Sequence, residues 1–149
     1  MIVEYEVIRK DQHAGDADAM LYTPLKAGLT MKHSRIYHFD FEGDSAALME
    51  FARAVLVDEV SQEMNVDSTP AVQGALFYID YSMKPGALDL EKEAIMNYNR
   101  GRSGDAFVLQ QLHIAQRIYI FGSGDVETLS ARFVKDIVNP AIHKHQVIA

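Results

Sequence analysis

The sequence predicts a two-layer α+β protein made by tandem duplication of one small unit, strand-helix-strand-helix with room for a short closing strand. The two copies are expected to pack as a pseudo-dimer. Three observations carry this. The run Arg117-Ile118-Tyr119-Ile120-Phe121 repeats the character of Arg35-Ile36-Tyr37-His38-Phe39. Each run then meets a Gly-Asp pair, Gly43-Asp44 and Gly124-Asp125. Each pair opens an amphipathic pattern in which Leu48 answers Leu129, Leu56 answers Ile137 and Val57 answers Val138, with one residue fewer between strand and glycine in the second copy. A spacing of roughly 80 residues is too long for a solenoid unit. The 149 residues therefore read as one domain of two repeats: 1–66, a joint at 67–74, and 75–149. Each repeat alone is near the size at which a core becomes marginal, so the two should share one.

The elements follow in order. At 3–8, Val3, Tyr5 and Val7 alternate with Glu4 and Glu6, the period of a strand with one buried and one wet face. Residues 11–15 read as a turn and 17–27 as a short helix that Pro24 breaks or kinks. Residues 35–42 form the second strand, with Tyr37, Phe39 and Phe41 toward the core and His38, Asp40 and Glu42 away from it. Asp44 or Ser45 caps the next helix, whose buried face is Leu48, Phe51, Ala52, Val55 and Leu56. Residues 65–73, with Ser68, Thr69 and Pro70, join the halves.

The second copy opens with a strand at 75–82, apolar enough on both faces to suit the middle of a sheet. Lys84-Pro85-Gly86-Ala87-Leu88-Asp89 turns this strand into a helix: proline sets one torsion, glycine permits the bend and Asp89 caps. Leu90, Ala94, Ile95 and Tyr98 are the expected buried stripe, and Glu91 and Glu93 suit the positive helix start. Residues 99–105 are a polar, glycine-rich loop. A long strand at 107–121, a helix at 126–138 closed by Pro140, and a short last strand at 145–148 complete the chain.

Composition excludes several classes. Hydrophobic residues make up 48% and there is no cysteine, so no disulfide, thiolate metal site or cysteine nucleophile exists. The net charge of -7, with 14 scattered basic residues, argues against nucleic acid. Neither a signal peptide nor an apolar run long enough to span a bilayer is present in the sequence, so no membrane partner and a cytoplasmic address are expected.

The joint at Lys84, Pro85, Gly86 and Asp89 resembles the Lys-Pro-Gly-x-x-Asp motif of the PurS-like domain of phosphoribosylformylglycinamidine synthase. The ends of the two repeat helices, Leu56-Val57-Asp58-Glu59-Val60 and Ile137-Val138-Asn139-Pro140-Ala141, are similar to the family's leucine-alanine-aspartate or asparagine-proline-valine run. The double copy looks like the tandem PurS-like N-terminal domain of the large single-chain synthase, over nearly the whole chain. The chain departs from the family at 11–16, where the proline-glycine motif is missing, at Glu59 in place of proline, and at Leu90-Glu91-Lys92 after Asp89. The resemblance implies a noncatalytic scaffold that bridges synthetase and glutaminase parts of an enzyme amidating formylglycinamide ribonucleotide in purine biosynthesis. It implies no cofactor in this chain, with ATP and magnesium on the partner synthetase. A homo-oligomer of duplicated units stays open beside this.

Other chemistry has weaker support. Asp40, Glu42 and Asp44 have the look of paired carboxylates or a magnesium site, against the plainer reading of a solvated strand face. His143 and His145 lack a third metal ligand and read as a surface tail. His38 and His113 titrate near neutrality but are placed on strands. The loop Arg100-Gly101-Arg102-Ser103-Gly104 is the anion-binding candidate, through backbone amides, and lacks a P-loop ending. Gly122-Ser123-Gly124 is a tight turn, since Glu127 stands where a dinucleotide loop needs glycine. Tyr119 and Phe121, like Tyr37, Phe39 and Phe41, read as core. No catalytic residues are assigned. Two rival functions remain: a metabolite-binding regulatory module with its site at the seam between repeats, and an enzyme using the 100–105 loop for a phosphorylated substrate.

Overall fold

The computed structural model describes residues 1–102, 104 and 106–149. Among these, seven strands make one antiparallel sheet, with three α-helices. The strands are β1 (Ile2–Arg9), β2 (Gly15–Asp16), β3 (Thr30–Gly43), β4 (Gln62–Asn65), β5 (Phe77–Met83), β6 (Phe107–Phe121) and β7 (His143–Ile148). The helices are α1 (Ser45–Leu56), α2 (Leu90–Arg100) and α3 (Val126–Ile137). The sheet order is β4-β1-β3-β6-β5-β7, with β2 added to β3. β1 thus lies between β3 and β4, and β5 between β6 and β7. The middle of the sheet is the pairing of the two longest strands, β3 and β6, in register from Thr30 opposite Phe121 to Gly43 opposite Phe107, with one bulge beside Asp40.

Cross-strand partners share a face, so the register assigns the layers. Tyr5, Tyr37 and Ile114 line up, as do Val3, Phe39 and Leu112. Farther along the same face, Phe77 meets Ile120 and Ile79 meets Ile118. The helices cover this face. Leu48, Phe51 and Ala52 of α1 and Ile95 and Met96 of α2 pack on one cluster with Tyr37, Phe39 and Leu112. Phe133 of α3 packs on the other, against Phe77 and Ile120. Burying each large side chain in these clusters contributes about 1.5–3 kcal/mol. All three helices start on an aspartate, as their sequences require: Asp44, Asp89 and Asp125 accept from the amides of Ala46, Lys92 and Thr128.

Several expectations change. The helix expected at 17–27 is only a 3-10 turn, Ala17–Met20. The Asp18 carboxylate accepts the amides of Leu25 and Lys26, which bends the chain back on itself, and Lys26 takes a positive φ. Leu21 and Leu29 from this segment then cover the Phe77 cluster where a helix was expected.

The two matching runs of β3 and β6 do not occupy matching positions. Tyr37 and Phe39 face the helices, whereas Tyr119, paired with Lys32 and Tyr78, faces away with Phe121. Tyr119 is fully buried as expected, though on that other face, and Ile118 and Ile120 take the positions toward the helices. The residue missing before Gly124 is the reason: with a period of two, a shift of one residue exchanges the faces.

The expected stripe of α2 holds only at Ile95. Leu90 is 72% exposed, Tyr98 58% exposed, and Ala94 is exposed; Ile95 and Met96 are the buried pair. Glu91 rotates the helix by reaching Arg35 and Tyr37 on the sheet, at 2.6 and 2.7 Å.

Finally, the outer face of β1 is only partly wet: Ile2 is 72% exposed and Glu4 is half-buried, but Glu6 is 2% exposed and Ile8 6%.

Candidate functional site

The joint between halves explains the burial of Glu6. From β4 at one edge, the chain must pass β1, β3 and β6 to reach β5, and helices occupy one face. It crosses on the other, and the Ala71 amide donates to Glu6 Oε1 at 2.9 Å. Beneath it, Glu6 also accepts from Ser34 Oγ at 2.6 Å and from the Tyr119 hydroxyl. Arg117, 5% exposed, grips Asp80 with Nε and Nη2 at 2.7 and 2.8 Å. Its Nη1 reaches Glu6 at 3.3 Å, and Nη2 lies 3.7 Å from Glu4. The guanidinium also lies 4.5 Å from the centre of the Tyr78 ring.

Burial opposes the Arg117 charge, but hydrogen bonding and attraction by Asp80, helped by Tyr119 and Glu6, outweigh it and hold its pKa above the ordinary value. Burial first, and then the bond to Glu6, raise the Tyr119 phenol. Every charged group here has a partner, which is what a buried ionic network needs in order not to destabilise the fold. The network clamps β1, β3, β5, β6 and the joint. It offers no unengaged base or nucleophile. Period-two reading assigned Glu6 to solvent; the one available signal was the length of the joint, which has to lie on something.

A second constellation sits on the helix side, where α1 and α2 flank β1 and β3. Residues 7–9, Gln12, His33, Arg35, Tyr37, Val55, Leu56, Glu91 and Ile95 border a cleft of about 310 Å³. Glu91 accepts from both Arg35 and Tyr37. Burial first, then Glu91, push the Tyr37 phenol up to about 12. A cleft of this size, with an arginine, a carboxylate and a hydroxyl at its wall, can hold a small polar ligand.

The residues singled out from sequence are dispersed. Asp44 caps α1, Asp40 lies 3.7 Å from the amino terminus, and Glu42 is exposed. His143 and His145 stand on β7, longer than the strand expected at 145–148, and His143 Nδ1 accepts from the Asn139 amide. His38 lies 3.4 Å from Glu4 and opposite His113. Burial, then Lys144, Lys92 and His38, lower the His113 pKa. Gly122 and Gly124 take positive φ values in the turn before Asp125.

The 99–105 loop begins later than expected, since α2 runs through Arg100. Arg100 and Arg102 part company there. Arg100 borders a cleft with Lys84, Pro85, Gly86 and Asp89, while Arg102 lies 5.0 Å over the Phe51 ring. Gly101 is the C-cap of α2, Gly104 has a positive φ, and Ser103 lies outside the described residues. The joint itself folds as read: Ala87 donates to the Lys84 carbonyl across Pro85 and Gly86, Gly86 has φ +89°, and Asp89 caps. Among the described residues, no group of three histidines or carboxylates is placed to hold a metal, and no helix is long and apolar enough to cross a membrane. No protein-family model, curated protein or solved structure matches this chain.

Proposed function

We propose that the chain is a noncatalytic assembly component of phosphoribosylformylglycinamidine synthase, a tandem duplication of PurS-like units packed as a pseudo-dimer. One observation carries the assembly role: the α2 stripe of Leu90, Ala94 and Tyr98. These residues, at helical spacing, leave two large apolar side chains more than half exposed, and such a stripe suits a helix-sized docking surface. The arrangement of β4-β1-β3 beside β6-β5-β7 supports the duplication. In this reading the partners are the synthetase and glutaminase parts, ATP and magnesium belong to the synthetase, and the setting is cytoplasmic. The commitment of Arg117, Glu6 and Asp80 to one another favours a structural over a catalytic chain.

The test is glutamine-dependent amidine formation by the synthase of the same cell, its own PurS-like domain removed, with and without this protein. Restored activity and a complex on size exclusion, both lost in Leu90→Glu, support the proposal. No rescue and no complex, with every component folded, overturn it. The cleft bounded by Arg35, Tyr37 and Glu91 favours a second reading, a metabolite-binding module with its site at the seam. Saturable binding of a purine nucleotide or amino acid without any partner, weakened by Arg35→Ala, would select it.

A further inference from the structure

The sequence is acidic overall, yet one cleft gathers cations. It has a volume of about 400 Å³ and lies where the lysine-proline-glycine turn, α2, β6 and the start of β7 meet. Four of the chain's 14 Lys and Arg residues line it: Lys84 from the turn, Lys92 and Arg100 from α2, and Lys144 from β7. His113 of β6 adds a fifth nitrogen group. The opposing carboxylates are Asp89 and Glu93, and Asp89 is occupied in capping α2 through the Lys92 amide. Lys84 is held in place by the Pro140 carbonyl at 2.6 Å; an ammonium has three donors, so two remain for a ligand. Burial first, and then Lys144 and Lys92, lower the His113 pKa.

We propose that this cleft binds the phosphate group of a small phosphorylated metabolite. Lysines are compact, strongly charged phosphate donors, and the volume is that of a site for a small molecule rather than for a single ion. The dianionic charge of a phosphate monoester complements an excess of cations drawn from several elements, whereas one carboxylate would leave that excess uncompensated. Lys92 and Lys144 carry the recognition; Pro85 and Gly86 shape the wall. The site is separate from the α2 stripe used for assembly, so either proposal can fail alone.

Calorimetric titration of the intact protein with a sugar phosphate, inorganic phosphate and citrate tests this, alongside amide NMR shifts at His113 and Lys92. Saturable binding of the sugar phosphate is expected, with inorganic phosphate weaker at the same resonances. The double variant Lys92→Gln/Lys144→Gln should lose affinity about tenfold or more, the effect of removing charged hydrogen-bond donors, while Lys135→Gln on α3 keeps it. Circular dichroism checks that the variants are folded. Absence of saturable phosphate binding, equal binding by the double variant, or citrate bound as tightly as the sugar phosphate would each overturn the assignment.

Discussion

Arg117→Met isolates the energetic role of the network under the joint. The substitution keeps an apolar side chain of similar length against Tyr78, where the guanidinium lies 4.5 Å from the ring centre, and removes the only cation within bonding reach of buried Glu6 among the described residues. Glu6 keeps three neutral donors, from Ser34, Ala71 and Tyr119, but its side chain is only 3% exposed and its charge is no longer compensated. Breaking a buried pair from one side costs about 3–5 kcal/mol. With a urea m-value of about 2 kcal/mol/M, the unfolding midpoint should fall by about 1.5–2.5 M at unchanged slope. Adding Glu6→Gln removes the stranded charge, and the Ser34 and Tyr119 hydroxyls can turn to accept from the new amide. The double variant should therefore recover at least about 1.5 kcal/mol over the single one. Equilibrium urea unfolding followed by circular dichroism measures both. A single-variant loss below about 1 kcal/mol, the level of a surface pair, or strict additivity in the double variant would refute the reasoning.

Tyr37 has a folded-state pKa raised from 10.0 to about 12, so its contribution to stability is complete below pH 10 and is lost as pH rises toward 12; phenolate absorbance should show a step near 12 that Tyr37→Phe removes. Gly43→Ala should cost more than about 1 kcal/mol, since Gly43 has φ +110° and a Cβ would lie 2.5 Å from the Ala106 carbonyl oxygen; thermal unfolding reads it. Leu90→Glu, at a side chain 72% exposed, should shift stability by no more than about 0.5 kcal/mol, whereas Ile95→Ala one turn on should cost about 2–5 kcal/mol; comparable losses would place Leu90 in the core. Asp125→Ala removes the α3 cap and should cost about 1 kcal/mol in the same assay.

Local chemistry was sufficient wherever one element determines the outcome. Asp44, Asp89 and Asp125 announce their helices because a short acceptor before an amphipathic run satisfies orphan amides in any fold. The span 107–121 announces β6, and the proline-glycine pair announces its turn, because torsional preferences act within a few residues. Facing is different. Whether Tyr119 looks toward the helices depends on a one-residue register, and whether Glu6 is wet depends on a joint some 65 positions away in sequence. The rotation of α2 was set by Arg35 and Tyr37 taking hold of Glu91 from another strand, which left Leu90 and Tyr98 outside. The cationic cleft likewise joins Lys84, Lys92, Arg100, His113 and Lys144 only after four elements meet. Sequence determined the elements because helix caps, turns and periodicity are short-range. Tertiary structure decided burial and site because Coulombic pairing, strand register and chain crossing act between residues that are neighbours only in the folded protein.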